Sequence, residues 1–310
     1  MIIEVSNLIK RYKDVIALDH FSLQVNEGEI LGLLGPNGSG KTTAINCMLS
    51  LLKYDKGEIK IFGKKMTPDS FDIKKNIGVV PQEVAVFYEL TVQENIDYFC
   101  SLYISDSAER KRLVNEVIDF VSLQDYRKFK PGKLSGGLLR RLNIACGIVH
   151  QPKLIFLDEP TVAVDPQSRH AILAGIKELN KKGTTIIYTS HYMEEVEELC
   201  NRIIIMDKGK TIASGTNEQL KSSITLKEKV EIEQLELSEK QLEEIKKIVN
   251  VLSLEYANKN LSIKFSNGRH NLMNILDYLS EHNISFGKVY SQLPTLNDVF
   301  LEITGKQLRD

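Results

Sequence analysis

Gly35-Pro36-Asn37-Gly38-Ser39-Gly40-Lys41-Thr42 is the stretch that decides the fold. It fits G-x-x-x-x-G-K-[ST], a loop whose glycines let the backbone wrap a phosphate with its N–H groups pointing inward. Lys41 can reach the outer phosphates, and the Thr42 hydroxyl suits a magnesium ion. The flanks supply the context such a loop needs. Ile30–Leu34 reads as a buried strand, and about Lys41 to Leu52 reads as a helix whose positive N-terminal end favours an anion.

Downstream, Leu154-Ile155-Phe156-Leu157-Asp158-Glu159 is an apolar strand ending in two carboxylates. Alone it would be a strand followed by a solvated acidic turn. Beside a phosphate loop, Asp158 falls at the C-terminal tip of a strand, where α/β sheets bind ligands. There it suits the magnesium side through water, and Glu159 suits polarising an attacking water. The rest of the first half supports this frame. Ile2–Val5 and Ala17–Val25 pattern as strands, Glu27–Gly28 supply a turn, and residues from about Glu83 to Val149 read mostly helical, with Thr91 and Glu94 forming a capping box. Helix Ser168–Lys181, strand Thr184–Thr189, helix Met193–Leu199 and strand Arg202–Met206 follow. Strands alternating with helices imply a parallel α/β sheet.

The character changes near Thr216–Ser223. Beyond it the order is strand Lys229–Gln234, helix Glu239–Val249, strands Leu252–Tyr256 and Leu261–Phe265, helix Leu272–His282 and strand Ser285–Ser291, the β-α-β-β-α-β pattern of a ferredoxin-like domain. A last helix, about Leu296–Thr304, has Thr295 and Asp298 as start signals. The expected domains are residues 1–222 and 223–310. Their combined 310 residues, 42% hydrophobic, suffice for two cores. A net charge of -1, from 40 basic and 41 acidic side chains, gives no push toward nucleic acid. Cys47, Cys100, Cys146 and Cys200 are scattered without a C-x-x-C pair, so they read as small buried hydrophobes in a reducing compartment. The N-terminus lacks the apolar core of a signal peptide, and no uncharged apolar run reaches about 18 residues. The expectation is a cytoplasmic protein that acts on a membrane only through another subunit.

Further motifs carry a family resemblance. Leu134-Ser135-Gly136-Gly137 lies upstream of Asp158-Glu159 and resembles the signature of ATP-binding cassette (ABC) ATPases. Gln82 is similar to that family's Q-loop glutamine, Asp165 in Ala163-Val164-Asp165-Pro166 to its D-loop aspartate, and His191 to its switch histidine. Tyr12 stands where the family stacks an aromatic on adenine. The matches run in family order from about residue 2 to residue 220. The resemblance implies a P-loop cassette with a mixed-sheet core and a helical subdomain, joined here to a small α+β domain. It implies ATP and Mg2+ as ligands. ATP would be held by Tyr12, by Gly35, Pro36, Asn37, Gly38, Ser39, Gly40, Lys41, Thr42 and Thr43, and by Ser135, Gly136, Gly137 and Asp165. Mg2+ would be held by Thr42, Gln82 and Asp158, with Glu159, His191 and Gln82 serving catalysis.

In that family two cassettes pack head to tail, each ATP lying between one glycine loop and the other subunit's signature. Two departures stand out: Leu138 replaces the signature's glutamine, and Ala163 a D-loop glycine. The tail Leu293–Gly305, the stretch Arg140–Cys146 and the run Thr161–Arg169 resemble ATPase subunits of bacterial exporters of drugs, antibiotics, lipids or polysaccharides, whose permease is a separate membrane chain. An ATPase of translation or DNA repair is the alternative, disfavoured by the single cassette and the balanced charge. The second domain reads either as a regulatory or dimer-stabilising element or as a passive appendage. The cargo is not encoded in this chain's motifs.

Overall fold

A computed structural model describes residues 1–267 and 270–305. Its described residues fall into two compact units that part between Ser214 and Gly215. The first unit runs β1 (Ile3–Tyr12), β2 (Val15–Val25), β3 (Ile30–Leu34), α1 (Lys41–Met48), β4 (Lys56–Ile61), β5 (Lys64–Lys65), α2 (Phe71–Lys74), β6 (Ile77–Val80), α3 (Val92–Ser101) and α4 (Ser107–Phe120). It continues with α5 (Gly136–Ile148), β7 (Leu154–Asp158), α6 (Pro166–Lys181), β8 (Thr185–Ser190), α7 (Met193–Leu199), β9 (Arg202–Asp207) and β10 (Lys210–Gly215).

The central sheet has the order β10-β9-β3-β8-β7-β6. Its β3 is parallel to β8 and β9, and β7 is parallel to β8 and β6. Every residue of β3, β7 and β8 is buried, which is why these strands read as unbroken apolar runs rather than alternating ones. A second sheet, β2-β1-β4-β5, is antiparallel. Ala44, Ile45, Cys47 and Met48 of α1 share one apolar core with Leu31 and Phe156 of the central sheet and with Ile3, Leu18 and Phe21 of the second.

Local chemistry accounts for most element ends. Thr91 Oγ1 accepts from Glu94 N–H at 3.2 Å while Glu94 Oε2 accepts from Thr91 N–H at 2.8 Å, the reciprocal pair that starts α3. Helix α1 stops at Met48, short of the expected Leu52, because Ser50 turns left-handed (φ 52°) and Leu51 N–H closes back on Asn46 O at 2.9 Å. Strand β1 runs well past the expected Val5. Asn7 adopts φ 48° and the register with β2 shifts there, which interrupts the period-two pattern without ending the strand. Gly78 of β6 and Gly147 of α5 let helix and strand touch: a Cβ on Gly78 would lie 2.5 Å from Gly147 O. All four cysteines are buried and unbridged.

The second unit begins with α8 (Asn217–Ser223) and continues with β11 (Glu228–Ile232), α9 (Glu239–Lys246), β12 (Val251–Ala257), β13 (Asn260–Phe265), α10 (Asn271–Glu281), β14 (Val289–Gln292) and α11 (Leu296–Thr304). Its sheet order is β12-β13-β11-β14, antiparallel throughout. Strand β13 lies between β11 and β12, which α9 connects, so the split βαβ arrangement is present. Val230, Ile232, Ile263 and Phe265 from the sheet bury against Ile245, Ile275 and Leu279 from the helices. The units part at Ser214/Gly215, ahead of the expected 222/223. The reason is α8, which packs on α11, while Thr225 and Leu226 N–H both donate to Glu302. Residues 268–269 and 306–310 of the expected second domain lie outside the described residues.

Candidate active site

The glycine loop leaves the tip of β3 and enters α1. Gly38 and Gly40 both have positive φ, 80° and 105°, and Gly40 is the N-cap of α1. No other residue fits at Gly40, since a Cβ would stand 2.6 Å from Ala17 O. Gly209 N–H donates to Ser39 O at 2.9 Å and fastens the loop to the turn after β9. Lys41 is only 5% exposed. Its Nζ crosses the loop to donate to Gly35 O at 2.8 Å and Pro36 O at 3.3 Å. Burial holds this ammonium below its usual pKa, and Glu159, at 3.5 Å, opposes that shift. A buried cation facing mostly neutral carbonyls is the donor set a polyphosphate completes.

Asp158 ends β7 and is almost fully buried, accepting from Thr189 Oγ1 at 2.6 Å. The next residue, Glu159, takes a left-handed backbone (φ 47°), a conformation that costs a non-glycine residue about 1–2 kcal/mol and is kept where surroundings over-determine it. Here Thr189 is the surrounding: its hydroxyl oxygen also accepts Glu159 N–H at 2.9 Å. So placed, Glu159 gathers three of the residues singled out from sequence. Its Oε1 faces Lys41 Nζ, its Oε2 accepts from Gln82 Nε2 at 3.4 Å, and His191 Nδ1 approaches Oε2 to 3.2 Å, close but outside hydrogen-bond alignment.

Ser135, Gly136 and Gly137 start α5, with Ser135 Oγ accepting from Leu138 N–H at 3.3 Å. Leu138 therefore contributes to the cap through its backbone, which the missing glutamine does not alter. Asp165 caps α6 by accepting from Ser168 N–H at 2.9 Å, and those bonds hold its carboxyl below the ordinary range. Gly137 lies against the same turn: a Cβ there would meet Ser168 Oγ at 2.3 Å. Ala163, where a glycine was expected, has φ 58°. Among the described residues, no hydrogen bond or ion pair links Ser135–Gly137 or Asp165 to Lys41, Glu159 or His191. One chain thus carries two separate half-sites. Thr42 is exposed beside buried Lys41, and Tyr12, 47% exposed at the end of β1, has Lys10 Nζ 4.8 Å from its ring centre.

Several contributors had no motif to mark them. Thr189 is one; a threonine at a strand end gives no signal until the neighbouring strand is known. Arg140 and Asn143 of α5 both donate to Pro81 O, at 3.1 and 3.3 Å, and Asn143 Oδ1 accepts from Ala85 N–H at 3.0 Å, so the signature helix holds the loop carrying Gln82. Glu195, inside a helix read only as acidic, is 3% exposed. Thr189→Val tests the first of these. It strands the buried Glu159 N–H, which lowers unfolding stability by about 1–3 kcal/mol, read by urea denaturation.

The chain is similar to known proteins along nearly its whole length. The family model "ABC transporter" matches residues 18–162, and "ATP-binding protein DrrA1-3-like, C-terminal domain" matches residues 215–304. The linearmycin resistance ATP-binding protein LnrL of Bacillus subtilis (strain 168) is 37% identical over 310 residues, covering 99% of this chain and 100% of that protein. The daunorubicin resistance ATP-binding protein DrrA3 of Streptomyces coeruleorubidus is 31% identical over 99% of this chain and 97% of its own length. Among solved structures, a dimeric ATP-binding cassette in a post-hydrolysis state with ADP and phosphate superposes with a TM-score of 0.64 at 28% identity, over 69% of this chain and 98% of that one. With a glycine loop, a paired Asp158-Glu159 and a full-length relative of this similarity, the chain belongs to the ATP-binding subunits of ABC transporters and is an ATPase.

Proposed function

We propose that this ATPase closes as a head-to-tail dimer around two ATP molecules and drives export through a separate membrane permease. The observation that carries the reading is the meeting of Lys41, Gln82 and His191 at Glu159, apart from Ser135–Gly137 on the same chain. The first group supplies charge and a base, and the second supplies helix-end N–H groups, so each half-site completes the other only across two chains. Gly35–Thr43 would cradle the phosphates and Tyr12 would stack on adenine. Asp165 would lie at the dimer seam. Thr42, Gln82 and Asp158 would hold Mg2+, which neutralises phosphate charge when bound. Glu159 would orient and deprotonate the attacking water, and His191 would donate to the γ-phosphate.

No helix among the described residues is long and apolar enough to cross a membrane. The permease therefore offers the membrane path, and this subunit would sit on its cytoplasmic face. A cavity of about 210 Å³ beside the Gln82 loop, lined by Val79, Ala85, Phe99, Leu102 and Tyr103, suits an amphipathic helix of that partner. The relatives' names, linearmycin resistance and daunorubicin resistance, are the support for a drug or antibiotic as the exported molecule. A gentle-detergent pull-down of Glu159→Gln with ATP tests the partner. Co-purification of a multi-span membrane protein supports export; recovery of only ribosomes, DNA or unattached proteins removes the transport reading and leaves the ATPase.

A further inference from the structure

The buried carboxylate of Glu195 lies outside every motif named so far, yet it touches three of the segments that carry them. Its Oε2 accepts hydrogen bonds from Thr161 Oγ1 at 2.8 Å, Tyr188 OH at 2.7 Å and Ser190 Oγ at 3.1 Å. Its Oε1 faces Arg169 Nε at 3.3 Å, an ion-pair distance without hydrogen-bond alignment. Thr161 stands two residues after Glu159. Ser190 precedes His191, and Arg169 is on α6, the helix that Asp165 caps.

The contacts converge on His191. Ser190 Oγ accepts from Tyr192 N–H at 2.9 Å, so a hydroxyl held by Glu195 also closes the turn that has His191 at its tip. The His191 ring leans on the Tyr192 ring, with centroids 4.1 Å apart. Arg169 covers the same tyrosine at 4.8 Å. One end of the network therefore fixes the chain after Glu159, and the other fixes the chain on both sides of His191. Burial, and then the Glu195 charge, push the Tyr188 phenol up, so Tyr188 stays a donor to this carboxylate.

We propose that Glu195 is a positioning residue for ATP hydrolysis: it clamps the Glu159 segment to the His191 segment and so sets their 3.2 Å approach. This rests on the reading of Glu159 and His191 as the hydrolytic pair. The clamp needs a carboxylate. An amide at this position either turns its NH₂ toward Arg169, donor against donor, or turns it toward three hydroxyls that already donate. In both orientations one side of the clamp loosens, and misplacement of a reacting group by about 1 Å costs about 10²-fold.

The test is steady-state phosphate release by Glu195→Gln, with ATP titration and thermal unfolding on the same samples. The expected result is a kcat reduced about ten- to hundredfold with the KM for ATP close to wild type and the unfolding temperature lowered by only a few degrees. A kcat within about twofold of wild type overturns the inference. So does a parallel loss of kcat, ATP affinity and unfolding temperature, which is the signature of plain structural damage. Thr161→Val removes one donor at nearly constant volume and decides the matter if the glutamine variant does not fold: it should show the same split at smaller size, and wild-type kinetics would again overturn the clamp. Glu159→Gln run alongside separates the two readings. If that variant keeps full turnover, the hydrolytic pair itself is wrong and the clamp falls with it; if it is inactive while Glu195→Gln is normal, only the clamp is lost.

Discussion

Glu159→Gln reduces ATP turnover by about 10²- to 10³-fold while ATP still binds and the two-chain complex accumulates. The substitution keeps shape and backbone: the side chain stays buried, and the left-handed backbone at 159 and its N–H bond to Thr189 are untouched, while the amide NH₂ must turn toward Lys41 or Gln82 where a carboxylate oxygen stood. What disappears is the carboxylate proposed to accept the water proton. One negative charge also leaves the neighbourhood of Lys41, so the γ-phosphate meets less repulsion and binding does not suffer. In the proposed head-to-tail dimer, loss of the γ-phosphate contact would open the complex, and a variant unable to cleave ATP would stay closed. Phosphate release measures the first effect, and size-exclusion chromatography with ATP and Mg2+ measures the second. Hydrolysis at the wild-type rate would remove Glu159 from the mechanism. An inactive variant that stays monomeric with ATP would leave the base in place and refute the head-to-tail complex.

Lys41→Ala weakens ATP binding by about 10- to 100-fold, the worth of a charge-assisted hydrogen bond of about 1.5–3 kcal/mol. The loop carbonyls of Gly35 and Pro36 lose their donor at the same time. The fold survives, because removing the ammonium also removes the burial penalty that depresses its pKa. Titration with a fluorescent ATP analogue, beside a thermal melt, separates lost affinity from lost structure. Unchanged affinity would contradict the loop assignment. In the proposed site the two variants separate: Lys41→Ala is expected to change binding and Glu159→Gln the chemical step, although the two side chains stand only 3.5 Å apart.

The phosphate loop was legible residue by residue because its constraints are local. Glycine at positions 38 and 40 answers a backbone requirement, and the lysine and threonine follow at fixed offsets. The buried strands β3, β7 and β8 were legible for a related reason: burial on both faces leaves an unbroken apolar run. The second antiparallel sheet was less so. In Lys56-Gly57-Glu58-Ile59-Lys60-Ile61 only the short Glu58–Ile61 stretch alternates, and it becomes a strand by pairing with β1. The parting of the two units at Ser214/Gly215 likewise depended on which partner α8 finds, and composition does not name it.

In sequence, turn chemistry and periodicity, which act over a few neighbouring residues, determine the glycine loop, the strand ending in Asp158-Glu159 and the βαββαβ order of the second unit, while the cassette ATPase itself is read from the resemblance of its ordered motifs. Tertiary structure alone decided that Thr189 serves both Asp158 and Glu159, that Arg140 and Asn143 hold the Gln82 loop, and that Glu195 is buried rather than solvated. Each of these depends on hydrogen bonds between segments far apart along the chain. A polar side chain in sequence carries no mark of the distant donor it will meet, so such partners exist only once the strands and helices have packed.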